Sequence, residues 1–74
     1  MEHLLLTRYR TAIAALQRAA YALGDTAPDR GDYSQEPDRF EQIRAQHWRR
    51  ESMLWSILGA LELDAANIAE RGFL

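Results

Sequence analysis

The stretch LTRYRTAIAALQRAAYAL, residues 6–23, decides the fold class of this chain. Its apolar positions follow one another at steps of three and four residues: Leu6, Tyr9, Ile13, Leu16, Ala20 and Leu23. That spacing predicts an amphipathic α-helix over about residues 3–23 with a coiled-coil-like seam. A second stripe runs beside the seam, made of Leu5, Ala12, Ala15, Ala19 and Ala22. Because small side chains allow close approach, we expect this helix to contact two neighbours.

Residues 24–37 hold both prolines and two of the four glycines, and they predict a loop. Gly24 is expected just beyond the end of the first helix. Pro37 and the pair Asp38 and Glu41 suit the start of a second helix with a capping box. This helix is predicted over about residues 38–62, followed by a continuation or a separate third helix over about 64–71. Its core stripe is predicted to contain Phe40, Ile43, His47, Leu54, Ile57, Leu58, Leu61, Ala65 and Ile68.

The two helices differ in length. The first helix would be roughly 30 Å long, and an unbroken second helix would be roughly 50 Å long. The first helix is therefore too short to cover the second along its whole length. Either the second helix breaks near residues 62–64 or a second subunit covers the remainder. The fold prediction is all-α: an antiparallel helical hairpin in a dimeric helical bundle. The residues assigned to self-association are Leu5, Ala12, Ala15, Ala19, Leu61 and Ile68.

The composition of the chain limits the expected number of domains, the origin of the protein and its location in the cell. The chain has 74 residues and no cysteine, which predicts one helical domain without a disulfide. All nine basic residues are arginine, a bias typical of GC-rich genomes, so we expect a bacterial, plasmid or phage origin. The net charge is −2, and no run of about 18 apolar residues could span a bilayer. The N-terminal apolar run is too short for a signal peptide, so a cytoplasmic protein without a membrane partner is expected.

The segment RAQHWRRESMLW, residues 44–55, holds the candidate functional residues. Trp48 and Trp55 are seven positions apart and therefore share one face of the helix, beside the core stripe. Tryptophan and arginine are enriched at the energetic centres of interfaces. The sequence therefore predicts a surface for a protein partner of unknown identity. Its residues are Trp48, Trp55, Arg44, Arg49, Arg50 and Glu51.

Other interpretations of this segment stay open. The tryptophans could instead cover the intramolecular core or a self-dimer. His47 is expected to form a polar layer in the core seam. The alternative is a small all-α hydrolase or ligand-binding bundle that uses His47 and Glu51. A nucleic-acid regulator would need arginines pooled from two subunits, because those of one chain are scattered among acids. No cofactor or metal site is predicted, since His3 is the only other histidine and no H-E-x-x-H motif occurs.

Overall fold

The computed structural model describes residues 4–72, and that part of the chain contains helices and no strand. Helix α1 spans Leu4–Gly24, a short 3₁₀ helix spans Arg30–Tyr33, and helix α2 spans Pro37–Gly72. The all-helical class predicted from the seam is confirmed. The predicted start of α1 at residue 3 lies outside the described residues. Neither helix is both long enough and apolar enough to cross a membrane.

Helix α1 follows its predicted seam but ends differently. All six seam residues are buried or half-buried, with Ala20 the most enclosed, and the alanines of the second stripe are exposed. Gly24 is the last residue of the helix and does not adopt a positive φ, so the prediction that it lies just beyond the helix is wrong by one residue. Successive i→i−3 bonds from Asp25, Thr26 and Ala27 tighten the chain instead. The Thr26 hydroxyl also donates to the Leu23 carbonyl at 2.7 Å.

Helix α2 is one uninterrupted helix of 36 residues. It begins at Pro37, where a fixed φ and a missing N–H are tolerated. The predicted capping box is wrong, because Asp38 is already inside the helix and Glu41 pairs with Arg44. The predicted break near residues 62–64, and with it the separate third helix, is also absent. No proline or positive-φ residue interrupts the helix there.

The two helices contact each other along α1. Near the start of α1, Leu5 and Ala12 lie around the same depression as Leu61 of α2. Just beyond the end of α1, the Thr26 hydroxyl lies 3.4 Å from His47 Nδ1. The first three turns of α2 therefore extend past the end of α1, and the linker between the helices packs against them. The resulting rod measures 60 × 15 × 10 Å.

The linker solves the length mismatch in a way that the sequence did not suggest. Its 3₁₀ helix brings Arg30 to 5.5 Å from the Phe40 ring and Tyr33 to 6.4 Å from it. Phe40 is thereby buried to 8% exposure although α1 does not reach it. Asp29 fixes the start of the 3₁₀ helix, since its carboxylate accepts from the Gly31 amide.

The enclosed core is small. Within residues 4–72 the buried apolar side chains are Ala20, Phe40, Leu58 and Ala65. Leu58 is the most enclosed of them, at 2% exposure. The other predicted α2 core residues are buried or half-buried except Ile57, which is 52% exposed, so its core assignment is wrong. Ile57 lies at the edge of the stripe, where one neighbouring helix does not cover it.

Leu58 is expected to contribute most to stability. Leu58→Ala should lower the free energy of unfolding by about 2–5 kcal/mol, because a buried leucine leaves a cavity that the structure fills only in part. Thermal or urea unfolding followed by circular dichroism measures this change. The matched control is Leu63→Ala on the same helix, where the side chain is 64% exposed and a change within about 0.5 kcal/mol is expected. Equal losses in the two variants would contradict this core assignment.

Candidate interaction surface

Trp48 and Trp55 are the largest side chains on the surface of α2. They are 71% and 53% exposed, so neither is part of the enclosed core. A helix turns by roughly 100° per residue, so a spacing of seven returns to nearly the same direction. The two indoles therefore mark one apolar strip along the flank of α2. We call this strip, defined by Trp48 and Trp55, the tryptophan strip.

A shallow depression of about 540 Å³ lies at the N-terminal end of the strip. It is lined by Arg44, Ala45, His47, Trp48, Arg49 and Glu51. Four of the residues predicted for partner binding are thus brought together around it. Arg44 is held in place, because its Nε and Nη2 donate to Glu41 Oε2 at 3.3 and 3.0 Å.

The remaining predicted residues lie elsewhere. Trp55 continues the strip two turns along α2 and does not line the depression. Arg50 is two positions from Trp48 and so faces away from it. Among the described residues, neither Arg49 nor Arg50 forms an ion pair. Two cationic side chains on the first half of α2 are therefore available to an acidic partner.

His47 lies directly beneath this depression. Its residue exposure is 7%, and both ring nitrogens contact other side chains. Nδ1 faces the Thr26 hydroxyl at 3.4 Å, and Nε2 lies against Glu51 Oε1 without hydrogen-bond geometry. Glu51 itself is partly exposed. This placement fits a polar layer that joins the linker to α2 better than an accessible general base, which must reach a substrate proton.

The contacts of Thr26 favour one arrangement of protons. Its hydroxyl has a single proton, which the short bond to the Leu23 carbonyl uses. We therefore infer that the Thr26 oxygen accepts from Nδ1–H of His47, the tautomer that the nitrogen NMR measurement below tests. In a neutral ring this leaves the Nε2 lone pair facing the Glu51 carboxylate, whereas a doubly protonated ring gives Glu51 a donor. The contact thus couples the end of α1, the linker and α2 through one imidazole.

Four of the six residues assigned to self-association line two open depressions on another side of the rod. Leu5, Arg8, Tyr9, Ala12 and Leu61 surround one, with a volume of about 200 Å³. Ile68 lies at the second, beside Tyr9 and Asp64. Ala15 and Ala19 are exposed and line neither depression.

Sequence reasoning missed the cluster formed by Arg30, Tyr33 and Phe40. The available signal was Tyr33, a single aromatic residue in an otherwise polar linker, together with an aromatic residue in the first turn of the helix that follows. Within residues 4–72, no group of three or more histidine, aspartate or glutamate side chains is arranged to hold a metal ion. His3, the second histidine, lies outside the described residues.

Comparison of the chain with protein-family models, with curated proteins and with solved structures finds no match.

The link between Thr26 and His47 can be tested with an isosteric change. Thr26→Val should lower the free energy of unfolding by about 0.5–1.5 kcal/mol, because the buried Nδ1–H loses its acceptor. Chemical unfolding measures this loss, and nitrogen NMR of the imidazole should show a proton on Nδ1 in the unmodified protein.

The matched control is Thr11→Val, which removes an exposed hydroxyl that bonds within α1 at 3.0 Å. A change within about 0.5 kcal/mol is expected there. An unchanged unfolding free energy in Thr26→Val, or an Nδ1 without a proton, would refute the link.

Proposed function

We propose that this chain is a small protein–protein interaction module that acts by surface docking without catalysis. It would serve as a cytoplasmic accessory, adaptor or inhibitor protein of bacterial, plasmid or phage origin. The observation that carries the proposal is the exposure of Trp48 and Trp55, 71% and 53%, on one flank of α2. Two large indoles left in water on one face of a helix are unfavourable, and exposed apolar side chains of this kind mark interaction sites.

The surroundings of the tryptophan strip support docking of another protein. Arg44 forms an exposed ion pair with Glu41 at the edge of the depression, where its guanidinium group is within reach of a partner. Arg49 lines the same depression and has no ion pair among the described residues. A partner with an apolar ridge edged by carboxylates would match both the indoles and the guanidinium groups.

The scaffold proposed for this surface is an antiparallel helical hairpin. Two observations support this proposal: Tyr9 of α1 lies at the same depression as Ile68 of α2, and Thr26, just after α1, lies beside His47. In this arrangement Trp48 lies near the end of α1, and Trp55 lies two turns further along α2, where α1 runs beside it. Their exposed flank suits a partner helix laid along α2.

Binding to nucleic acid is the second candidate. Helix α1 carries Arg8, Arg10 and Arg18 and no acidic residue within Leu4–Gly24, which favours contact with phosphates. The overall charge of −2 disfavours it. Salt dependence separates the two candidates, because phosphate contacts weaken steeply between about 50 and 200 mM salt.

The docking surface is tested by the double variant Trp48→Ala/Trp55→Ala. A partner captured by the unmodified protein should bind the variant at least about tenfold more weakly, because the apolar centre of the interface is lost. Isothermal titration at two salt concentrations measures this loss. We expect the affinity for the partner to change little with salt.

The matched control is Met53→Ala/Leu63→Ala, which removes two side chains of 61% and 64% exposure from the same helix outside the tryptophan strip. Circular dichroism checks that both variants stay helical. Undiminished affinity in the tryptophan variant would refute the proposal. A steep loss of affinity with salt would favour the nucleic-acid candidate.

A further inference from the structure

The chain exposes more surface than a folded monomer of its mass. A compact monomer of 8.5 kDa exposes roughly 4,650 Å², whereas this chain exposes 6144 Å². Its radius of gyration is 17.6 Å, against about 11 Å for a compact domain of this length. A single pair of helices leaves one side of each helix without a neighbour. The excess area therefore belongs to the sides of the two helices that have no neighbouring helix. A second pair of helices could cover part of it.

One side of the rod carries two matching apolar rows, one on each helix. The row on α1 is Leu5, Ala12 and Ala19, and the row on α2 is Leu54, Leu61 and Ile68. Both rows have a spacing of seven residues, so each follows one edge of its helix. Their middle members, Ala12 and Leu61, lie around the same depression. We call the surface formed by these two rows the two-row face.

We propose that the two-row face binds a second copy of this chain, turned end for end about a twofold axis that passes beside Ala12 and Leu61. Rotation about that axis brings Leu5 opposite the partner's Ala19 and Leu54 opposite the partner's Ile68. Each row then meets its own copy, which is the self-complementarity that a twofold interface requires. The alanines let the two α1 helices approach closely, and the larger side chains fill the space between the α2 helices.

The areas agree with this assembly. A standard protein interface buries roughly 800 Å² on each partner. The surface of this chain exceeds that of a compact monomer by roughly 1,500 Å², which is more than one such interface buries on one partner. Leu5 is 50% exposed and Ala12 and Ala19 are exposed, so the α1 row is accessible to a partner.

Charge selects the end-for-end orientation. Helix α1 has three arginines and no acid, while the linker over residues 25–36 has four acids and one arginine. Turned end for end, the N-terminal end of the cationic α1 of each copy points toward the acidic linker of the other. A parallel arrangement would set the two acidic linkers side by side. Such charge patterns fix the orientation of an interface more than its strength.

This inference is independent of the docking proposed at Trp48 and Trp55, which lie on the other flank of α2. The first test measures the molar mass of the unmodified protein and of Ala12→Glu by light scattering over a range of concentrations. The unmodified protein should have twice the mass of one chain. Ala12→Glu should raise the dissociation constant of the dimer by about 100-fold or more, because two facing carboxylates would lie at the centre of the interface.

Two controls locate the effect. Thr11→Glu adds the same charge one position away on α1, at an exposed site outside the two-row face, and should leave the dimer intact. Trp48→Ala/Trp55→Ala should also leave it intact. A monomeric unmodified protein, or dissociation caused by the tryptophan variant alone, would overturn the assignment of this face.

The second test addresses orientation and remains informative if Ala12→Glu fails to fold. The chain has no cysteine, so Leu5→Cys and Ala19→Cys can each carry a single thiol. When the two variants are mixed and oxidised, the end-for-end dimer should give the mixed disulfide. Same-residue disulfides would overturn the orientation, and the absence of any disulfide would overturn the interface.

Discussion

The structure depends on one mismatch: a helix of 36 residues lies beside a helix of 21. The two lengths differ by 15 residues, so about two fifths of the longer helix has no helical neighbour. An amphipathic helix cannot keep its apolar stripe in water at no cost. The linker relieves part of this by folding as a 3₁₀ turn over Phe40. The end of α1, where Thr26 contacts His47, marks the boundary between the part of α2 that α1 covers and the part that the linker covers.

The sequence predicted those features that follow from periodicity. Every seam residue of α1 is at least half-buried, and the stripe of α2 holds except at Ile57. The sequence-based prediction failed for features that depend on how helices end and on contacts between residues distant in the chain. Gly24 and the Asp38–Glu41 pair have the composition of caps, yet a helix can continue through both, and backbone bonds complete its end. The break near residues 62–64 was inferred from length alone, because the contribution of the linker has no periodic signal.

For the candidate surface, too, some features follow from residue spacing and others depend on contacts between distant parts of the chain. That Trp48 and Trp55 share a flank could be predicted from their spacing, since seven residues nearly complete two turns. That both are exposed could not, because exposure depends on how far α1 extends beside α2. Likewise, the polar layer at His47 was visible as an interruption of an apolar seam, whereas its partner Thr26 lies 21 positions away. The imidazole is buried because the linker turns back at that point.

The positions of the two tryptophans also determine which changes in this protein its intrinsic fluorescence can detect. Indole emission shifts when the ring moves between water and an apolar environment, and both rings already lie at the surface. Unfolding would therefore change the tryptophan emission less than in a protein whose indoles are enclosed, although the helices and the contacts of Leu58 are lost. Coverage of the flank by another molecule would shift the emission to the blue. In this protein the tryptophans record the occupancy of a surface more than the integrity of the core.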